Sequence, residues 1–494
     1  MNVIIVEDNA ETLGVLRDFV RATDPSIDVK TYTSATPLLD KTQLVQADLL
    51  ILGYDLGTSV TGAELLHYLQ WSNHISTKTH VIFLSNTIEL ARRQAPLRFT
   101  QTRFHEKPMS LGHLQEALNW ARENQSVFSG VFYLIDKQRW QAAFNSLQLC
   151  KENIPTHLQQ QAWLLECMLL LKLREYAKVI RRYQLIQSYE WAKVVKLSAL
   201  INLGQLKASQ HVFNGMAVHD AYYSSALALS NQLSLAAPAS QPVFIPLSIK
   251  ESELSLFESE LKALSLVVSR NFNEAVGYLH SKQKRLRHDS HQAYFYAVAM
   301  LKVCLLEVLK EPYSTTAVAV LPQLTAALKT TQAHNRSRDI ELTTKLWPQL
   351  LALLESGTPT AAQTTSVKVG PMVTDLSPIS LLIRMYVHWM QTGELFINQV
   401  ERCIELIEQQ GASGRAVCNQ LLLEYLLDVM LAKPAQKVRL SNSLASRLGK
   451  QGRFEQAAFA LSRALVIHPS SAALRTKLAL CCKRLEVKQF LEHA

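Results

Sequence analysis

In the first 122 residues, short β-branched or leucine-rich runs alternate with segments of helical period. That alternation constrains the fold more than any other feature of this 494-residue chain. Val3-Ile4-Ile5-Val6 precedes an amphipathic segment, Ala10 to Ala22, with Leu13, Leu16, Phe19 and Val20 at helical spacing. Val29 to Thr33 is a more polar strand, followed by Leu38-Leu39 in a helix. Asp48 to Leu52 is a buried strand, followed by a helix from Gly62 to Gln70, and Val81 to Leu84 is another buried strand. Arg103-Phe104-His105-Glu106 leads into Lys107-Pro108, and Leu111 to Glu123 makes a last helix. Strands that are apolar throughout and separated by helices predict an α/β doubly wound domain, a parallel sheet covered on both faces. In such sheets the chemistry gathers at the carboxyl ends of the strands.

Those ends carry Glu7-Asp8 after the first strand, Ser85-Asn86 after the fourth and Lys107-Pro108 after the fifth. Their order and spacing resemble the receiver domain of bacterial response regulators. The resemblance implies a flavodoxin-like fold with a five-stranded parallel sheet over residues 1–124. It also implies that Glu7 and Asp8 bind Mg²⁺, that Ser85 stands at the hydroxyl position, and that Lys107 contacts phosphoryl oxygens. Phe104 takes the place of the family's switch aromatic. The chemistry is consistent: Mg²⁺ takes hard oxygens from few protein carboxylates, and phosphoryl transfer is mostly positioning plus charge neutralisation.

The chain departs from the family at the third strand. There the family places an acceptor Asp five residues after a first Asp, and here Asp48 is followed at that distance by Gly53. Leu56 falls where the family's Leu sits if Gly53 holds the acceptor position. Asp55 as acceptor requires a shifted register and a shorter loop before Gly62. On the Gly53 register there is no nucleophile. The domain is then a pseudo-receiver, with Glu7, Asp8, Ser85 and Lys107 as a pocket remnant. Lys107 is expected to pair with Asp8, Mg²⁺ to be held weakly if at all, and no other cofactor to be needed.

After residue 125 strand signals nearly vanish and a helical pattern recurs. Its clearest copy carries Leu444, Ala445, Leu448, Gly452, Phe454, Ala457, Leu461, Ala464 and Pro469. This resembles the tetratricopeptide (TPR) repeat, a helix–turn–helix with small residues at close helix contacts, so an all-α TPR-like solenoid is expected. Weaker copies surround Trp140, Tyr176, Leu206 and Phe272, with Trp140, Tyr176 and Leu206 spaced by 36 and 30 residues. The expected division is a receiver at 1–124, helical repeats at 125–356, a Ser/Thr/Pro/Gly-rich linker at 357–378, and repeats with a capping helix at 379–494. A second break, Ala236 to Ile249, holds Pro238, Pro242 and Pro246.

Other classes find no support. No run of about 20 apolar residues suggests a membrane span, and no basic region precedes the first apolar run as in a signal peptide. The seven cysteines form no CxxC pair and fit a reduced cytoplasm. No Walker, HExxH, GxSxG or Rossmann glycine motif is present, so an enzyme is not expected. The net charge of +10 is uneven. Residues 1–122 hold 11 basic and 13 acidic side chains, and the remainder 40 and 28. The densest basic cluster is Lys282, Lys284, Arg285, Arg287 and His288, without a helix-turn-helix reader. The sequence therefore suggests a bacterial cytoplasmic two-component signalling protein. It would be a non-catalytic adaptor or inhibitor that contacts a sensor histidine kinase or another signalling protein. Its docking face would lie around the last receiver strands and helices. A nucleic-acid-binding regulator is the alternative suggested by the charge.

Overall fold

Five short parallel strands, β1 (Asn2–Val6), β2 (Asp28–Tyr32), β3 (Leu49–Gly53), β4 (His80–Ser85) and β5 (Thr102–Glu106), form one sheet in the order β2-β1-β3-β4-β5. The structure is a computed structural model that describes residues 1–39, 46–57, 60–71, 74–203, 205–236, 249–250, 253–284, 290–310, 315–333, 350, 378–392, 397–409, 414–430, 434–450 and 454–485. The register aligns Val6 with Leu52 and Gly53 with Leu84, which brings the strand ends to one edge of the sheet. Helices α1 (Ala10–Thr23), α2 (Thr36–Leu39), α3 (Gly62–Trp71), α4 (Ile88–Gln94) and α5 (Leu111–Asp136) follow the strands in turn. This is the doubly wound α/β domain that the sequence implied. β1, β3 and β4 are buried almost throughout, as strands covered on both faces must be.

Local chemistry sets the helix starts. Asn9 caps α1, its side-chain oxygen accepting from Thr12 N at 2.9 Å. Thr61 and Glu64 form a reciprocal capping box at the start of α3, with bonds of 3.0 and 3.2 Å.

The last receiver helix does not stop near Glu123. It runs on to Asp136 because its buried face continues through Asn124, Phe128, Val131, Phe132 and Ile135 at helical spacing, and no breaker intervenes. Each fully buried side chain of that size is worth about 1.5–3 kcal/mol. One hydrophobic core therefore joins Val3, Ile5, Leu49 and Ile51 of the sheet to Phe132, Leu147, Leu165 and Leu169 beyond it. Residues Met1–Leu227 and Ser248–Ser255 form one compact unit.

The helical part of that unit is built from hairpins. The second half of α5 packs on α6 (Trp140–Cys150), α7 (Gln159–Lys172) on α8 (Tyr176–Ile186), and α9 (Ala192–Asn202) on α10 (Leu206–Asn214). Trp140, Tyr176 and Leu206, the recurring turn positions, each begin the second helix of a pair. The turns share one geometry. Gln138 and Arg174 adopt left-handed φ of 55° and 61°. In each turn that residue's N–H bonds the carbonyl three residues back, and the next N–H reaches five back. Gln205 N likewise reaches five residues back, to Leu200 O at 2.9 Å, before α10 begins.

The second unit comprises Ala228–Leu247 and Leu256–Ala494. Helix α11 (Tyr223–Ala236) starts in the first unit and ends in the second. The second unit continues with α12 (Leu256–Val268), α13 (Phe272–Lys284), α14 (Ser290–Lys310), α15 (Thr315–Ala333), α16 (Pro378–Thr392), α17 (Ile397–Gln409), α18 (Gly414–Met430), α19 (Pro434–Lys450), α20 (Phe454–Ile467) and α21 (Ala472–Leu485). Phe272 and Phe454 again begin helices, and Arg270 before α13 repeats the left-handed turn at φ 66°. Leu444, Ala445, Leu448, Ala457, Leu461 and Ala464 are buried, and α19, α20 and α21 pack in sequence. Phe454 is half-buried and Pro469 sits in an exposed turn. Gly452, Arg285, Arg287, His288, most of the 357–378 linker and the three prolines of the 236–249 break lie outside the described residues.

Candidate functional site

The site is built at the carboxyl edge of the sheet. Glu7 and Asp8 leave β1, Gly53 ends β3, Ser85 ends β4, and Lys107 directly follows β5 and is joined to Pro108 by a cis bond. Glu7 is fully buried. Its Oε1 accepts from Lys107 Nζ at 2.7 Å and from Asn9 N at 3.3 Å. Burial pushes the Glu7 carboxyl above its ordinary range, and the Lys107 ammonium pulls the other way. The expected pairing of Lys107 with Asp8 is thus secondary, at 3.9 Å against 2.7 Å for Glu7. The physical reason is burial: Glu7 has no water to solvate it, whereas the Asp8 side chain is about one-third exposed.

The second oxygen of Glu7 has no hydrogen-bond partner. It lies 2.6 Å from the point where a side-chain Cβ on Gly53 would stand. The Glu7 carboxylate therefore occupies the space over the end of β3. Asp55 lies two residues beyond the strand and is exposed. Asp8 packs on Gly57, whose φ of 62° suits a glycine. The loop after β3 folds back tightly: Gly62 N donates to Tyr54 O at 2.8 Å, and a Cβ on Gly62 would stand 2.3 Å from Gly53 O. Ser85 is buried, and its hydroxyl accepts from Thr87 N at 2.9 Å, so it serves the turn into α4.

This donor set fits Mg²⁺ poorly. Glu7 is paired with Lys107, Gly53 supplies no carboxylate, and of the other acids near the edge Asp55 and Glu106 are exposed, which leaves Asp8 beside the pair. Among the described residues no three His, Cys, Asp or Glu side chains converge as a metal site. A divalent cation bound mainly by one carboxylate competes poorly with its own hydration.

The face formed by β5 and α4, part of the region around the last receiver strands and helices, carries other parts of the same unit. Phe104 stacks on Phe83 with centroids 5.8 Å apart and meets the Tyr222 ring edge-to-face at 6.4 Å. Tyr222 itself is buried, which pushes its hydroxyl up to about 12. It holds a left-handed φ of 62°, and its N–H donates to Arg92 O at 2.8 Å. Arg92 also pairs with Glu190. Arg93 and Gln94 donate to Glu253 O at 3.1 and 2.8 Å, and Tyr54 Oη donates to Gln94 Oε1 at 2.9 Å. At the other end of β5, Phe99 stacks on Trp140, while Gln161 bonds Gln101 N and Phe99 O, each at 2.7 Å. Covering this face is physically favoured because β5 is an edge strand, and an uncovered edge invites adventitious pairing.

Tyr54, Gln94, Gln161, Tyr222 and Glu253 were not singled out by sequence reasoning. Tyr222 and Glu253 lie more than 110 residues from the strands they serve, and no local pattern announces such a contact.

Residues 3–119 match the response regulator receiver domain family. That segment is a receiver domain, and it ties the chain to two-component signalling. Neither a curated protein nor a solved structure matches the chain. Among the described residues no helix is long and apolar enough to cross a membrane.

Proposed function

We propose that this protein is a non-catalytic adaptor or inhibitor in a bacterial two-component pathway, and that its receiver works without phosphorylation. The observation that carries the reading is the Glu7–Lys107 pair over Gly53. The cation that would neutralise a phosphoryl group is already neutralised by a buried carboxylate, at the place where the acceptor side chain would lie. A receiver in this state is held in one arrangement by its own residues. Packing of Phe104 between Phe83 and Tyr222 supports the same reading, because a clamped ring has no second position to report. The TPR-like helical hairpins supply the contact surfaces, and the partner is a sensor kinase or another signalling protein of the cytoplasm.

The test is incubation with ³²P-labelled acetyl phosphate and Mg²⁺, followed by denaturing electrophoresis. The wild-type chain is expected to stay unlabelled and Gly53→Asp to acquire acid-stable, base-labile label. Wild-type label that disappears in Asp55→Ala overturns the proposal and makes Asp55 the acceptor.

A further inference from the structure

The receiver face around β5 and α4 is consumed within the first unit, and the inner helices α7 and α9 are buried on most sides. The solvent side of α6, α8 and α10 is exposed and carries the two most exposed leucines of this unit, while Val15, Leu111 and Tyr133 are exposed singly on α1 and α5. On α8 the exposed positions Ala177, Lys178, Arg181, Gln184 and Leu185 recur at helical spacing and make one stripe. The 36-residue repeat spacing maps Leu185 onto Leu149 of α6, and these two leucines are 63% and 83% exposed. The 30-residue spacing maps Ala177 onto Lys207 of α10, which is also exposed. The stripe on α8 thus carries both cationic and apolar positions, to which α6 adds an exposed leucine and α10 an exposed lysine at repeat-equivalent places.

The charge around the stripe is one-sided. From Lys137 to Lys207 the chain holds 11 Lys plus Arg against 4 acidic residues. Glu175 is exposed and lies 3.3 Å from Lys178, which leaves Arg181 and Lys207 as the cations of this face without an acid beside them among the described residues. Two of the other acids are turned away from a partner. Glu166 is buried and holds Lys151 at 2.8 Å and Arg182 at 3.2 Å, and Glu190 pairs with Arg92 of the receiver. Lys151 and Arg182 also lie against the Trp163 ring, 4.3 and 5.7 Å from its centre.

We infer that the outer face of α6, α8 and α10 docks an acidic protein segment that carries apolar side chains, its carboxylates meeting Lys178, Arg181 and Lys207 and its apolar groups covering Leu149 and Leu185. Exposed leucines at repeat-equivalent positions have no structural duty in the unit, and the surrounding field selects the sign of what covers them. The inference does not depend on whether the receiver is phosphorylated.

The experiment measures fluorescence anisotropy of a labelled Glu/Leu amphipathic peptide of about five helical turns with the full-length chain. A Lys/Leu counterpart and a single-stranded oligonucleotide of similar length are tested beside it. The acidic peptide is expected to bind and the basic one not to bind. Lys178→Glu with Arg181→Glu is expected to weaken binding roughly tenfold or more, and Leu149→Ser with Leu185→Ser roughly threefold or more. All four side chains are exposed, so both double variants are expected to melt like the wild type. The inference is overturned if the acidic peptide does not bind, or if its binding survives both double variants. It is also overturned if the oligonucleotide binds as tightly with no sensitivity to the two leucines, which would make the face a polyanion site.

Discussion

Restoring a carboxylate at the end of β3 tests the reasoning about the receiver edge most directly. In Gly53→Asp the new Cβ stands 2.6 Å from Glu7 Oε2, so the Glu7 carboxylate has to move. It is the far end of a flexible side chain, and that motion is sterically cheap. The electrostatic cost is larger. Two carboxylates about 4 Å apart at an effective dielectric near 20 repel by about 4 kcal/mol. Lys107, bonded to Glu7 at 2.7 Å, offsets part of that, and replacing a glycine recovers about 0.5–1 kcal/mol. The expected net loss without divalent cation is about 2–3 kcal/mol. For a unit of this size 1 kcal/mol moves Tm by about 2–4 °C, so Tm should fall by roughly 5–10 °C. The variant also completes a carboxylate cluster with Glu7 and Asp8. Mg²⁺ at about 100 times its Kd should return about 2.7 kcal/mol. The assay is scanning calorimetry of both proteins with EDTA and with Mg²⁺. Wild type is expected to melt identically in both buffers, and the variant is expected to recover in Mg²⁺ alone. A wild type stabilised by Mg²⁺, or a variant indifferent to it, refutes the account of the site.

Gly62→Ala is expected to cost about 2–4 kcal/mol by chemical denaturation, because its Cβ would meet a backbone oxygen, Gly53 O, at 2.3 Å; a loss under about 0.5 kcal/mol contradicts that contact. Gln138→Gly and Arg270→Gly should each stabilise by about 0.5–1 kcal/mol, since both residues hold left-handed turns that tax a side chain; unchanged or lower denaturation midpoints would count against it. His80 is fully buried between Trp120 and Phe132 with both ring nitrogens unpartnered, and burial lowers its pKa to about 3. A depressed folded pKa gives stability that is complete above about pH 6.5 and is lost as pH falls towards about 3, on the order of 1.4 kcal/mol per pH unit in that window. His80→Leu should flatten this slope relative to wild type, while the opposing rise from Glu7, whose pKa is shifted up, stays common to both; equal slopes would show that His80 does not carry the effect.

The strand–helix alternation of the first 122 residues was enough to specify the sheet. Strands such as Leu49-Leu50-Ile51-Leu52 are apolar on both faces, and only burial between two helical layers satisfies that. The turn positions Trp140, Tyr176, Leu206, Phe272 and Phe454 were legible for a related reason: each starts a helix, and a helix start is a local event. The placement of Glu7, Asp8, Gly53, Ser85 and Lys107 at one edge was legible too, because strands that all run parallel end at the same side. The sequence did not reveal which carboxylate takes Lys107. Relative burial of two adjacent acids decided that, and burial is a property of the packed edge. Nor did it reveal that α5 serves both the receiver core and the first helical hairpin, or that Tyr222 and Glu253 close the face around β5 and α4. Composition and periodicity determine what each segment must bury. Only the tertiary structure decided against what it is buried, because contacts across a hundred residues leave no periodic trace in the chain.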